Sequence, residues 1–369
     1  KKAYMNKIKL SDYGFNILQI ETVAACNMAC SFCPYPLKDD KTSKLDLENI
    51  YSILDQVDAD DTKLNYITFS QFNEPLLDSR IFDIMDFCKT KNLPILFITN
   101  GLLLNKEKNV KNLLKYQPKI KLSLQVLDEN KHKDARGLNL ELDKYVSTVI
   151  NFCKIVKNTN IELTIDLGCN FNENKPNYYL RKLLGVQTGD PSVPKTVDQT
   201  MKMFSKFIDY FYDISDESHR KNFDNLKNYK SYFKKYNYDQ NGYKIYDNVT
   251  LKLKTFIFGR RITDFQPIND NFACDSKILG ILADGSVVPC CLAYEDSISL
   301  GNVKKLNLSQ ILKNGDKFLY NLRNKNETKH QTCKKCFGEP TRRGAIVRNI
   351  YNRLPSKIKN SSFVNIFKD

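Results

Sequence analysis

The chain has 369 residues, 41% of them hydrophobic, and its 57 Lys and Arg against 42 Asp and Glu give a formal net charge of +15. This length exceeds a usual single core and fits one large α/β domain with a smaller one appended, while the apolar content excludes a disordered chain. No apolar run of about eighteen residues exists to cross a membrane, and the opening KKAYMNKIKL lacks the apolar core of an export signal, so a cytoplasmic location is expected. The lysines are spread along the chain, not gathered in one block, and read as a solvated basic surface with no specific nucleic-acid partner.

FNILQI at 15–20 reads as a buried strand running straight into ETVAACNMACSFCPYP, a loop too rich in Cys and Pro to be helical. LDLENIYSILDQV at 45–57 has helical spacing, and LNYITFS at 64–70 is a strand ending at Asn73-Glu74-Pro75. The alternation continues with a helix at 79–91, a strand at 95–99 ending in Asn100-Gly101, a helix at 103–115 and a strand at 120–125. A helix at 141–157 then precedes the strand at 161–168. Strands joined in sequence by helices imply a parallel sheet with its chemistry at the strands' C-terminal ends, where the cysteine loop, Asn73-Glu74, Asn100 and Ser123 fall.

From 170 to 248 the pattern is interrupted by a segment read as an insertion, with a helix at 196–213 and a Tyr- and Lys-rich stretch that suits a lid. The strand at 251–258 resumes the pattern as the sixth. The expected fold is therefore α/β, a partial (β/α)6 TIM-like barrel over 1–262 followed by a small C-terminal domain over 263–345 and a basic tail over 346–369. Within the small domain, ILADGSVVP has a hairpin turn at Asp284-Gly285.

The chain has eleven cysteines, and their odd count and clustered spacing point to metal ligation, not disulfides. Cys26, Cys30 and Cys33 form C-x3-C-x2-C on one loop, and three such thiolates bind three irons of a 4Fe-4S cube while leaving the fourth open. An open iron chelates the amino and carboxylate groups of S-adenosylmethionine, whose reductive cleavage gives a 5′-deoxyadenosyl radical. Cys274, Cys290, Cys333 and Cys336 offer a second, four-thiolate set that satisfies every iron of a cube; Cys290 is chosen over its neighbour Cys291 because it follows the turn glycine after four intervening residues, in G-x4-C. Zinc is the alternative for either set. Cys88, Cys153 and Cys169 read as ordinary buried residues, and His132, His219 and His330 form no ligand cluster. Phosphate-binding G-x-x-x-x-G-K and dinucleotide G-x-G-x-x-G motifs are missing.

ETVAACNMACSFCPYP, with the aromatic Phe32 before the last Cys, resembles the signature of the radical S-adenosylmethionine superfamily. In that superfamily a Gly-Gly-Glu motif at the end of the second strand holds the methionyl amino group. Here the corresponding residues are Phe72-Asn73-Glu74, retaining Glu-Pro and replacing both glycines. TNG at 99–101 and SLQ…HKDARG at 123–137 resemble the third and fourth strand ends, which implies that Ser123 and Arg136 bind the ribose or carboxylate of S-adenosylmethionine. The cofactor-binding set is thus expected to be Phe32, Asn73, Glu74, Asn100, Ser123 and Arg136. Residues 270–340 resemble the SPASM, or twitch, extension that carries an auxiliary cluster.

The resemblance implies an enzyme that holds two 4Fe-4S clusters and S-adenosylmethionine, takes electrons from a donor such as flavodoxin or ferredoxin, and removes hydrogen from a substrate carbon. Oxidation or epimerisation of a sugar, aminocyclitol or other small polar alcohol fits this architecture. A maturase of a ribosomally made peptide is the alternative, opposed by the 25 residues before Cys26, too few for an N-terminal peptide-recognition domain. A zinc-bearing nucleic-acid-binding protein is the reading from another class.

Overall fold

β1 (Ile17–Ile20) is the pivot of the sheet, pairing in parallel with β2 (Tyr66–Thr68) on one side and with β8 (Ile278–Ile281) on the other. The computed structural model describes residues 7–125, 133, 136–169, 183–185, 197–220, 243–255, 265–268, 274–294, 298–324 and 330–353. Beyond β2, the strands β3 (Leu96–Thr99), β4 (Lys119–Gln125), β5 (Leu163–Cys169) and β7 (Val249–Thr255) are hydrogen-bonded in parallel in that order. A parallel bridge between Ile67 and Ile95, with the Ile67 N–H donating to the Pro94 carbonyl at 2.7 Å, stitches β2 to the start of β3. The parallel array therefore runs β8-β1-β2-β3-β4-β5-β7.

Among the described residues the array does not close into a barrel. Antiparallel strands flank it, with β9 (Ser286–Val288) and β10 (Gly301–Asn302) at one edge and β6 (Tyr243–Tyr246) at the other. Five helices lie on one face: α1 (Leu47–Gln56), α2 (Ile81–Thr90), α3 (Glu107–Tyr116), α4 (Leu142–Val156) and α5 (Val197–Phe211). Each turns residues three or four apart onto the sheet, such as Ile50 and Ile53, Val110 and Leu113, and Phe207 and Phe211. They meet Leu18, Ile67, Phe97, Leu122, Ile165 and Leu251, one set of alternating strand residues, in a single core.

The six strands and five helices read from the sequence are all present. The helix expected at 103–115 divides into a 3-10 turn at Leu102–Asn105 and α3, because Gly101 enters with a left-handed φ of +79° and the chain must tighten before the helix starts. Residues 256–258 of the expected sixth strand lie outside the described residues, as does the stretch 221–242 that holds most of the proposed lid. The interrupted segment contributes α5, whose Met203, Phe207 and Phe211 are buried at four-residue spacing, and it also contributes β6. It thus supplies the crossover helix between β5 and β7.

The hairpin at Asp284-Gly285 joins β8 to β9, with Gly285 at φ +93° and the Asp284 carboxylate accepting the Ser286 N–H at 2.8 Å. Sequence periodicity did not reveal that β8 would lie beside β1, because a parallel partner 261 residues away leaves no local mark. After the hairpin come α6 (Leu308–Arg323), started by a reciprocal Asn307 and Gln310 cap, then α7 (Gln331–Cys336) and α8 (Arg342–Arg353). The remainder of the tail, 354–369, lies outside the described residues.

Phe207→Ala should lower the unfolding free energy by about 3–5 kcal/mol, because a fully buried ring stacked on Phe211 leaves a cavity. Denaturant melts that place the variant within about 1 kcal/mol of the parent would show that α5 is not part of the core.

Candidate functional site

The loop after β1 carries the first three cysteines at the C-terminal edge of the sheet. Cys30 is buried and Cys26 and Cys33 are partly buried. Every one of these sulfurs faces a hydrogen-bond donor. The Met28 N–H approaches Cys26, the Arg136 guanidinium reaches the Cys30 sulfur at 3.6 Å, and the Tyr35 N–H reaches the Cys33 sulfur at 3.4 Å. Donors aimed at sulfur stabilise thiolate charge, so the set fits cluster ligation. Burial pushes the Cys26 thiol up to about 12 and raises Cys33 further, and coordination to a cation is what would draw off those protons.

Arg136 fastens this loop to the sheet. It is 1% exposed, and its guanidinium donates to the Ser123 carbonyl and to the Tyr145 hydroxyl at 3.1 Å while its own carbonyl accepts the Ala29 N–H at 3.0 Å. Tyr145, on α4, donates in turn to the Asn100 carbonyl. The ends of β3 and β4 and the cysteine loop thus hang on one guanidinium, whose Nε has no protein partner. Gly137 follows at φ +65°, and a Cβ there would lie 2.3 Å from the Ala29 carbonyl oxygen, so only glycine permits the close approach. The Ser123 hydroxyl accepts from the Gln125 amide.

Glu74 ties β2 to β3. Its carboxylate, 1% exposed, accepts the Thr99 hydroxyl at 2.8 Å, the Asn100 N–H at 2.8 Å and the Leu76 N–H at 3.2 Å. Its own N–H donates to the Ala25 carbonyl at 3.0 Å, laying the turn against the cysteine loop. Burial pushes the Glu74 carboxyl up to about 7 against the pull of those donors. Asn73 closes the turn from within, accepting the Gln71 N–H and donating to the Phe69 carbonyl, each at 3.1 Å. The Asn100 side chain donates to Asn27 on the loop at 2.7 Å. Phe32 packs on the main core.

The second cysteine set gathers beside the first. Cys290 follows the hairpin, with the Leu292 and Ala293 N–H groups approaching its sulfur; Cys333 and Cys336 sit on α7; and the Cys274 N–H is held by the Leu322 carbonyl at 2.9 Å. Burial, and then the proximity of Cys290, Cys274, Cys333 and Cys291, raises the Cys336 thiol, which puts all five in one neighbourhood. Cys33, Cys290 and Cys333 pack on the same small apolar cluster, formed by Phe72, Leu282, Val288, Ala293 and Ile298.

Between the two sets lies an ion pair that sequence reasoning missed. Glu21, fully buried, accepts the Lys38 ammonium at 2.6 Å and the Ala283 N–H at 3.1 Å through one carboxylate oxygen, while the other oxygen has no partner. A pair seventeen residues apart has no periodic signature; the only available signal was two ionisable residues flanking an otherwise apolar, Cys-rich loop. Tyr145 was likewise invisible, since a buried helix tyrosine reads as core.

The profile of the radical S-adenosylmethionine (SAM) superfamily matches residues 20–183, and that of SPASM, an iron-sulfur cluster-binding domain, matches residues 274–337. The chain carries a radical SAM domain followed by a SPASM domain. It is accordingly an enzyme whose cofactors are 4Fe-4S clusters and S-adenosylmethionine. No curated sequence matches it. Among solved structures it is similar to BtrN in complex with AdoMet and 2-DOIA, at 15% identity over 89% of this chain and 93% of that one, with a TM-score of 0.46. It is similar to Streptococcus suis SuiB bound to S-adenosylmethionine at 15% identity, over 82% of this chain and 66% of that one, with a TM-score of 0.48. A third, anSMEcpe with bound AdoMet, has 17% identity over 93% of this chain and 96% of that one, with a TM-score of 0.46.

The cysteines set aside from ligation are dispersed, with Cys88 and Cys153 in the buried faces of α2 and α4 and Cys169 closing β5. His219 sits 3.2 Å from Asp247 and His330 caps α7, far apart in function, while His132 lies outside the described residues. No helix among the described residues is long and apolar enough to cross a membrane.

Lys38→Met should destabilise the protein by about 3–5 kcal/mol by stranding the Glu21 carboxylate, and adding Glu21→Met should recover most of that loss. Thermal melts of the single and double variants check this. Glu74, raised from its ordinary value of 4.5 to about 7, favours the folded state below its unfolded pKa, and that contribution is lost as pH rises toward 7. The stability difference between the parent and Glu74→Gln should therefore shift against the parent by on the order of 3 kcal/mol between pH 4.5 and 7. Parallel pH profiles for the two proteins would contradict it.

Proposed function

We propose that this radical SAM enzyme oxidises or epimerises a sugar, aminocyclitol or other small polar alcohol, with Cys26, Cys30 and Cys33 holding the cluster that engages S-adenosylmethionine and Cys274, Cys290, Cys333 and Cys336 holding the auxiliary one. When bound, the first cluster and S-adenosylmethionine supply a 5′-deoxyadenosyl radical that removes a hydrogen atom from a substrate carbon, and the second cluster supplies an acceptor for the electron that carbon then gives up.

What supports this reading is the apolar cluster shared by Cys33, Cys290 and Cys333. Two cysteine sets on one apolar wall support a reading in which an electron acceptor would stand near the site of hydrogen abstraction. That arrangement suits a carbon bearing a hydroxyl or amine, because its radical, once the O–H or N–H proton leaves, loses an electron readily and becomes a carbonyl or imine. Arg136 keeps the cysteine loop against β4, Glu74 keeps the β2 turn in place, and Glu21 with Lys38 sets the loop against the hairpin that leads to Cys290. Asn73, Asn100, Ser123 and Phe32 line the strand ends where S-adenosylmethionine is proposed to sit. Flavodoxin or ferredoxin is the proposed source of the initiating electron.

Cys30→Ala should abolish 5′-deoxyadenosine formation, whereas Cys333→Ala should still cleave S-adenosylmethionine in part and form no oxidised product. An anaerobic assay with polyols, aminocyclitols and peptides, following 5′-deoxyadenosine and the substrate mass change, reads both. Full turnover by Cys333→Ala, or turnover of peptides alone, would overturn the proposal.

A further inference from the structure

The face of the sheet opposite the helices is unusual for a parallel barrel. Such interiors are normally filled with branched aliphatic side chains. Here the strand residues that alternate with the core set are Lys121 and Ser123 on β4, Thr164 and Asp166 on β5, and Thr250 and Lys252 on β7. None belongs to the apolar core; Lys121 and Lys252 are half-buried and Asp166 is 4% exposed, so among the described residues these three strands present polar groups here and not packed hydrocarbon.

The parallel register aligns Ser123, Asp166 and Lys252 in one row across three neighbouring strands. Lys121, one layer below, extends up until its ammonium lies 3.9 Å from the Asp166 carboxylate. The row lies directly under the first cysteine site, since the Ser123 carbonyl is bound by the guanidinium that also touches the Cys30 sulfur. From across the concavity, Tyr66 on β2 has its phenol pushed up by burial and by the charge of Asp166. Two strands separate β2 from β5 in the sheet, so that influence requires the sheet to curl and bring Tyr66 and Asp166 to a common interior.

We infer that Lys121, Asp166 and Lys252 form the substrate-recognition row of this enzyme, and that it takes a compact polyhydroxylated molecule carrying one anionic group, a phosphate or a carboxylate. The inference rests on the proposed oxidation of a polar alcohol and names its substrate class. Asp166 accepts from hydroxyl or amine donors, the two ammonium groups donate to the anion, and the excess of one positive charge in the row offsets the ligand's charge. Ser123, Thr164 and Thr250 are short enough to leave room for a ring. The position one strand row beneath the cluster loop presents the ring's carbons to the site of hydrogen abstraction.

Binding is tested by titration calorimetry on the anaerobically reconstituted full chain with S-adenosylmethionine and no reductant, so that the result does not depend on turnover. The probes are myo-inositol, myo-inositol 1-phosphate, glucuronate and inorganic phosphate. At least one of the two anionic polyols should bind about tenfold more tightly than myo-inositol, and which one does so separates phosphate from carboxylate. Lys121→Gln and Lys252→Gln, both substitutions of half-buried side chains, should remove most of that preference while retaining iron content. Asp166→Asn should weaken myo-inositol, which loses an acceptor for its hydroxyls, and should not weaken inorganic phosphate, which loses a repelling neighbour. Equal binding of neutral and anionic polyols, no binding of any polyol, or a preference that survives in the double lysine variant would overturn the inference. Turnover of neutral alcohols alongside such a result would leave the oxidation reading standing, so the two fail separately.

Discussion

The carboxylate of Glu21 joins parts of the molecule that the chain keeps far apart. It stands just past β1, receives the ammonium of Lys38 from the far side of the cysteine loop, and receives the N–H of Ala283 from the hairpin that leads to Cys290. A buried ion pair of this kind contributes little net stability, because desolvation offsets most of its attraction. Its effect is geometric: with both partners excluded from water, neither the loop nor the hairpin can shift without exposing or stranding a charge. The placement of two cysteine sets against one apolar wall depends on that restriction.

The remaining polar bonds at the strand ends work in the same way. Arg136 and Glu74 are both nearly inaccessible: the Arg136 guanidinium holds the Ser123 carbonyl and the Cys30 sulfur, while the Glu74 carboxylate holds the end of β3 and its main-chain N–H holds the cysteine loop. The family resemblance assigns Glu74 and Arg136 to the cofactor, and both are also held by bonds to the protein. Their placement suits residues that fix where cofactor-binding atoms stand. Asn73 stands where the family motif has a glycine, and its side chain hydrogen-bonds within the turn.

The strands and helices of the core were legible because period-two and period-3.6 patterns are local, and Leu18 with Ile20 or Phe207 with Phe211 announce their buried faces over a few residues. The clustering of Cys26, Cys30 and Cys33 was legible because their spacing on one loop is local too. What could not be read were contacts made by topology alone: β8 lying beside β1, Tyr145 reaching the Asn100 carbonyl, Glu21 meeting Lys38. The row of Lys121, Asp166 and Lys252 belongs to the same class. Each residue looks like an ordinary polar member of a strand until parallel register places them side by side.

The account stands on two iron-sulfur clusters held by separate thiol sets, and metal counting tests that most directly. Anaerobically reconstituted protein should hold about eight irons per chain, and replacing Cys26, Cys30 and Cys33 together with Ala should leave about four, with no S-adenosylmethionine cleavage. A preparation that takes up zinc alone, or a triple variant that loses all of its iron, would contradict it.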